Sequence, residues 1–140
     1  MRVLDLKTME GYKRRIIDTL LEKKLQAKGA VLIEGPKWCG KTTTAEEIAA
    51  SKIMLSKPDI KEHFKSLLEI DTDAALAGEA PMLIDEWQTV PKLWDAVRYT
   101  VDHRHKMGQF ILTGSAVPNK EAEKEREHSG TGRFAWLTMR

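Results

Sequence analysis

Short apolar runs recur along the chain, and amphipathic segments separate them. The runs lie at residues 31–33, 67–70, 82–84, 110–112 and 134–137. Runs of this length, rich in aliphatic side chains, are typical of parallel strands that are buried on both faces. Their alternation with helical segments predicts an α/β fold, a three-layer sandwich in which helices cover both faces of a mostly parallel, five-stranded sheet.

The segments before and between these runs carry apolar side chains at the spacing of a helix. They predict helices over residues 11–28, 41–51, 58–64 and 91–108. Asp73 is the predicted N-cap of one more short helix, which Gly78 ends. Charged side chains dominate residues 118–130, so this segment is predicted to be a solvated helix or a loop.

Composition fits a single domain over residues 1–140, because a chain of this length with 41% hydrophobic residues can bury its own core. The formal net charge of +2 gives no strong electrostatic reason to expect a nucleic-acid or membrane partner. The longest aliphatic runs, about four residues, are too short to span a bilayer, and the first residues do not resemble a signal peptide. The single cysteine, Cys39, fits a reducing compartment. We therefore expect a cytoplasmic domain with no membrane contact.

The first apolar run leads into the sequence GPKWCGKT at residues 35–42, which matches the pattern G-x-x-x-x-G-K-[ST]. The backbone N–H groups of such a loop, together with the N-terminus of the following helix, surround a phosphate group. The pattern therefore predicts a site for ATP or ADP. The predicted nucleotide-binding residues are Gly35, Pro36, Lys37, Trp38, Cys39, Gly40, Lys41, Thr42 and Thr43.

Four side chains near this loop have predicted chemical roles. The Lys41 ammonium is expected to reach the β- and γ-phosphates, and the Thr42 hydroxyl to ligate Mg²⁺. Asp85 and Glu86 directly follow the third apolar run, at the edge where open parallel sheets bind ligands. Asp85 is predicted to hold Mg²⁺ through its water shell, and Glu86 to polarise the water that attacks the γ-phosphate. Capping of the next loop is the alternative interpretation of the two acids.

Polar residues also follow the fourth run, where they are expected to face the γ-phosphate beside Asp85. Thr113 and Ser115 are both candidates for a hydrogen bond to the attacking water. Ordinary turn chemistry after a strand explains either residue equally well, so the sequence does not choose between them.

Taken in order, the segments GPKWCGKT, MLIDEW, FILTGS and SGTGRF resemble the core of the AAA-plus ATPases over nearly the whole chain. More narrowly, the chain is similar to prokaryotic AAA ATPases that read LIDEIQ, then a proline-led helix, then LTGSS. The resemblance implies the strand order 5-1-4-3-2. It also implies that residues 35–42 are the Walker A loop, that Asp85 and Glu86 are Walker B, and that Thr113 and Ser115 lie in the sensor-1 region.

The resemblance implies a further role for Arg133, which lies where such ATPases often place an arginine finger that acts on a neighbouring subunit. A structural arginine at the start of a strand is the alternative. Gln88 matches the DExQ pattern of the family, which gives it no chemical role. Members usually continue into a helical region and a large, nuclease-like C-terminal domain. Residues 1–140 are therefore expected to be the nucleotide-binding core, with a homo-oligomer through Arg133 in longer forms.

Three functions are compatible with these residues. The first is an ATPase that uses ATP and Mg²⁺ and couples hydrolysis to conformational change. The second is a nucleotide-gated binding module with little hydrolysis, acting on a protein or DNA partner. The third is a small-molecule P-loop kinase, which requires an arginine-rich lid. Residues 118–130 are a poor lid because glutamates are interspersed among their basic residues.

Overall fold

The computed structural model describes residues 5–36, 40–115 and 133–138, with side chains from residue 16 onward. The helices are α1 (Asp5–Ala27), α2 (Lys41–Ile48), α3 (Pro58–Ile70), α4 (Thr72–Ala75) and α5 (Lys92–Arg104), with a 3₁₀ turn over Trp87–Thr89. The strands are β1 (Ala30–Glu34), β2 (Ser51–Met54), β3 (Met82–Asp85), β4 (Phe110–Gly114) and β5 (Phe134–Thr138).

The five strands form one sheet in the order β2-β3-β4-β1-β5, and every neighbouring pair is parallel. This arrangement confirms both the α/β class and the predicted strand order. All carboxyl ends of the strands meet at the same edge of the sheet. Asp85 is the register partner of Thr113 across β3 and β4, and Glu34 is the partner of Gly114 across β1 and β4.

Alternate residues of each strand point to opposite faces of the sheet, and each face packs against its own helices. On one face, residues such as Leu32, Ile84 and Leu112 pack with α3, α4 and α5. On the other, Val31 and Ile111 pack with the inner sides of α1 and α2. The sheet is therefore the middle layer of a three-layer sandwich.

The prediction of a strand over residues 67–70 is wrong. These residues form the last turn of α3. In this helix Phe64 and Leu68 face the core one turn apart, while Ile70 is 83% exposed. The second strand is instead β2, which lies at the edge of the sheet and includes the polar residues Ser51 and Lys52. An edge strand that is only half-buried does not produce the continuous apolar run of a central strand.

Several helix ends also differ from the predicted ones. The N-cap of α4 is Asp71 rather than Asp73, because α3 extends to Ile70 and the Asp71 carboxylate accepts the Ala74 N–H at 3.1 Å. Helix α4 ends at Ala75, before Gly78. Helix α5 ends at Arg104 rather than Gly108, because His105 adopts the left-handed conformation with φ 53°.

Candidate functional site

The glycine-rich loop begins directly after β1, at the carboxyl edge of the sheet, and leads into α2. Gly40 lies immediately before α2 with φ 90° and ψ 10°, a left-handed conformation that favours glycine. Lys41 is only 5% exposed, and its Nζ donates a hydrogen bond to the Pro36 carbonyl oxygen at 3.2 Å. The ammonium group therefore lies across the loop. Gly35 is buried and Thr43 is exposed, while the predicted binding residues 37–39 lie outside the described residues.

Asp85 connects this loop to the neighbouring strand. Its Oδ1 accepts a hydrogen bond from the Thr42 hydroxyl at 2.7 Å and another from the Thr113 hydroxyl at 2.5 Å. Thr113 is fully buried and lies beside Asp85 because the two residues are register partners in adjacent parallel strands. Two predicted site hydroxyls thus donate to the same carboxylate oxygen of a third predicted residue, Asp85.

Glu86 adopts an unusual backbone conformation directly after β3. Its φ of 58° and ψ of 47° are in the left-handed region, which costs a non-glycine residue about 1–2 kcal/mol. Its carbonyl oxygen accepts hydrogen bonds from the Thr89 N–H at 3.1 Å and the Thr89 hydroxyl at 2.9 Å. Its own N–H points to the Thr113 hydroxyl at 3.4 Å. These contacts hold the backbone of Glu86 at the carboxyl edge of the sheet.

The structure brings a further residue, Gln88, to this edge. Its Nε2 donates a hydrogen bond to Glu86 Oε2 at 2.7 Å. The sequence marked Gln88 only as part of a family pattern. Its spacing of two residues from Glu86, at the start of a tight turn, is the only sequence signal of this contact.

Thr113 and Ser115, which the sequence could not separate, have different environments. The Thr113 hydroxyl donates to Asp85. The Ser115 hydroxyl oxygen is buried but has no hydrogen-bond partner among the described residues. Of the two, Ser115 is thus the one whose hydroxyl remains available to another group.

Arg133 lies at the edge where the strands begin, opposite the carboxyl edge that holds the glycine-rich loop. It directly precedes β5, and its carbonyl oxygen accepts the N–H of Ala30 at the start of β1. Its Nε donates to Asp102 Oδ1 at 2.6 Å in an ion pair on the outside of α5. This hydrogen bond lowers the pKa of Asp102 below its usual value of 3.8. The structure therefore does not bring Arg133 to the other site residues of its own chain. The pair with Asp102 favours the structural alternative, and a finger acting on a neighbouring subunit stays a prediction.

The chemistry of Thr42 and Asp85 suits magnesium, because Mg²⁺ prefers hard oxygen ligands and is usually held by one or two side chains together with phosphates and water. The ranges 16–36, 40–115 and 133–138 contain no cluster of three His, Cys, Asp or Glu side chains able to hold a metal alone. The two side chains thus fit the protein's share of a magnesium–phosphate site.

Residues 27–140 match the family described as AAA domain. Over 108 residues the chain is 30% identical to two uncharacterized proteins, Mb2031c of Mycobacterium bovis and Rv2008c of Mycobacterium tuberculosis. The matched segment is 76% of this chain and 24% of each relative, so the chain spans about a quarter of the length of these curated relatives.

Among solved structures, the crystal structure of the DnaC helicase loader is similar, with a TM-score of 0.50 and 11% identity over 100% of this chain and 92% of that chain. At this identity the likeness concerns the fold. None of the helices in the described part of the chain is both long enough and apolar enough to cross a membrane.

Proposed function

This chain belongs to the AAA domain family, and from that premise we propose that it binds ATP with Mg²⁺ and hydrolyses it to ADP and phosphate, coupling the loss of the γ-phosphate to a change of conformation. Its P-loop α/β fold and its family support nucleotide binding. The finer proposal, hydrolysis at a defined site, rests on the side chains at the carboxyl edge of the sheet.

The observation that carries the proposal is the connection of Thr42 to Asp85 at 2.7 Å. It joins the phosphate-binding loop to the acidic end of β3, two segments that are 43 residues apart in the sequence. A hydroxyl and a carboxylate at this distance can take positions in or next to the coordination shell of one magnesium ion. A Mg²⁺ ion held by Thr42 and Asp85 would neutralise charge on the phosphate groups.

The other residues have separate roles in this proposal. Lys41 leaves the Pro36 carbonyl and binds the β- and γ-phosphates, while the N–H groups at the start of α2 face the phosphate oxygens. Glu86 accepts a hydrogen bond from the attacking water and takes its proton. Thr113 holds Asp85 in place, and Ser115, whose hydroxyl has no partner within the described ranges, donates to the water or the γ-phosphate.

Phosphate release from Mg-ATP tests this function directly, in the wild type and in Glu86→Gln. The substitution keeps the shape of the side chain but removes its capacity to accept a proton. Turnover is expected to fall by about 10²–10⁴-fold, the usual contribution of a general base, while nucleotide affinity stays within a few-fold. Glu69→Gln is the matched control, since Glu69 is an exposed glutamate of α3 whose only described contact is a 3.8 Å ion pair with Lys92.

The same assay separates the other two functions. Saturable nucleotide binding without phosphate release, in the wild type and at all protein concentrations, would identify a nucleotide-gated binding module. Phosphate that appears only on an added small-molecule acceptor would identify a kinase. Equal turnover in wild type and Glu86→Gln would remove Glu86 from the chemistry.

A further inference from the structure

Gln88 makes a contact that the roles proposed above do not use. Its Nε2 lies 2.7 Å from Glu86 Oε2, and since a carboxylate only accepts hydrogen bonds, the amide NH₂ must face Glu86. The bond occupies one carboxylate oxygen, and no described residue makes a hydrogen bond to the other. We propose that Gln88 is a positioning residue that fixes the side chain of Glu86 for its reaction with water, an inference that rests on the proposed function.

The other end of the Gln88 amide is held by packing. Its Oε1 is buried and has no hydrogen-bond partner in the described part of the chain. It lies against Gly114, at the end of β4, where a Cβ atom would meet it at 2.6 Å and the Trp87 indole Nε1 at 2.9 Å. Most buried amide oxygens are hydrogen-bonded, whereas this one has no partner among the described residues. The amide is therefore not placed here to satisfy its own oxygen. Its placement instead directs the NH₂ group toward Glu86.

The backbone around Glu86 is already fixed, and its side chain is the part that needs support. The left-handed conformation and the two bonds from Thr89 fix the main chain. A glutamate still has three rotatable side-chain bonds, and a general base is effective only within a narrow range of positions. The Gln88 hydrogen bond restricts those rotations. The neighbouring Trp87 is 5% exposed, and its ring centroid lies 5.2 Å from that of Trp94, so packing holds the residue between Glu86 and Gln88 in place.

Gln88→Met tests this proposal, because methionine has nearly the same length but cannot donate a hydrogen bond. We expect kcat for ATP hydrolysis to fall by about 10–100-fold, because a catalytic group displaced by about 1 Å can lose up to 100-fold in rate. KM is expected to stay within about twofold. Gln26→Met, on an exposed position of α1, is the matched control. A kcat within twofold of this control, or a loss that appears only as a higher KM, would overturn the proposal.

Gly114→Ala reaches the same contact from the other side. The new methyl group clashes with the Gln88 amide oxygen and with the Trp87 indole, so it displaces the amide while Gln88 and Glu86 keep their chemistry, and we expect the same selective loss of kcat. If Gly114→Ala lowers only the melting temperature and leaves kcat unchanged, Gln88 does not position Glu86.

A spectroscopic readout keeps this test separate from the hydrolytic function. In ¹H–¹⁵N spectra, the Gln88 side-chain amide is assigned by its disappearance in Gln88→Met. Its resonance is expected to shift in Glu86→Ala and Gly114→Ala but not in Glu69→Gln. A wild type that releases no phosphate contradicts the proposed hydrolysis. The Gln88 proposal fails separately, when this resonance does not respond to Glu86→Ala.

Discussion

Two aspartates at opposite ends of the strands are bonded in different ways: Asp85 ends β3 at the carboxyl edge, and the exposed Asp102 of α5 lies beside Arg133 at the amino edge, where the strands begin. At the carboxyl edge, Asp85 is 5% exposed and accepts its hydrogen bonds from two neutral hydroxyls, those of Thr42 and Thr113. At the amino edge, Asp102 is 45% exposed and is bonded by the charged guanidinium of Arg133. Neutral donors orient a carboxylate and leave its charge uncompensated. A guanidinium orients the carboxylate and also compensates its charge. Only the first arrangement leaves a negative charge available to a bound cation.

The two edges also differ in backbone geometry. Gly40 and Glu86, both at the carboxyl edge, have positive φ values. Conformations of this kind are retained where surrounding contacts enforce them, and they cluster at functional sites. The amino edge also has two residues with positive φ, His105 and Gly108, but His105 ends α5 and neither residue belongs to the candidate site. At the carboxyl edge, in contrast, the left-handed residue Glu86 is itself one of the candidate site residues.

The largest difference between the edges is expected for nucleotide binding. Asp85→Asn removes the charge from the proposed magnesium site, and we expect Mg-ATP affinity to fall by about 10–100-fold, from the 1.5–3 kcal/mol that a charged hydrogen bond is typically worth. Asp102→Asn, the same change at the amino edge, is expected to leave affinity unchanged. Isothermal titration with and without Mg²⁺ measures both. Equal losses in the two variants would contradict the distinction between the edges.

The next effect concerns stability without nucleotide. Thr113→Val removes the hydroxyl that donates to Asp85, and we expect the free energy of unfolding to fall by about 1–3 kcal/mol. Thr100→Val is the matched control, because Thr100 is equally buried but its hydroxyl has no hydrogen-bond partner among the described residues. Urea denaturation should show little or no loss for the control. Similar losses in both variants would mean that Thr113 contributes by packing rather than by holding Asp85.

A smaller effect is expected at the amino edge. The Arg133 hydrogen bond lowers the pKa of Asp102 in the folded chain, so this ion pair contributes stability above the usual carboxylate pKa of 3.8 and loses it as the pH falls below that value. Because the pair is partly exposed, Asp102→Asn is expected to cost only about 0.2–1 kcal/mol at pH 7 and almost nothing near pH 2. Chemical denaturation of both proteins across this pH range measures the difference. A cost that persists unchanged at low pH would exclude the ion pair as its source.

Arg133 itself distinguishes the structural from the intersubunit role. If Arg133 is structural, Arg133→Ala is expected to cause the same small loss of stability as Asp102→Asn and to leave turnover per chain unchanged. An arginine finger contributes about 10³–10⁵-fold in turnover. A loss of that size, restored by mixing in a Lys41→Ala subunit that retains Arg133, would support the finger instead.

The sequence predicted the parts of this molecule that depend on local pattern. Central strands such as β1 and β4 are continuous apolar runs, and the glycine-rich loop has a fixed spacing, so both could be placed without a structure. Strand β2 could not be placed in this way, because a half-exposed edge strand lacks a continuous apolar run. The turn of α3 over 67–70 was misjudged because a short apolar segment does not distinguish a strand from a buried helix end.

Contacts between neighbouring strands are the second feature that the sequence could not predict. Whether Thr113 or Ser115 faces Asp85 depends on the register of β3 against β4, which residue spacing along one strand does not determine. The contact of Gln88 with Glu86 depends on the left-handed turn at Glu86, a conformation that sequence propensity disfavours. Side-chain geometry at the carboxyl edge therefore had to come from the fold.

The central claim, that the carboxyl edge binds Mg-nucleotide through Lys41 and Asp85, is tested most directly by thermal unfolding with saturating Mg-ATP. At a nucleotide concentration 100 times Kd, binding stabilises the fold by about 2.7 kcal/mol, which for a domain of this size raises Tm by roughly 5–10 °C. We predict this increase for the wild type and for Lys52→Ala, an exposed lysine of β2 whose described partner is Glu46, and its loss in Lys41→Ala. An equal increase in Lys41→Ala, or no increase in the wild type, would contradict the account.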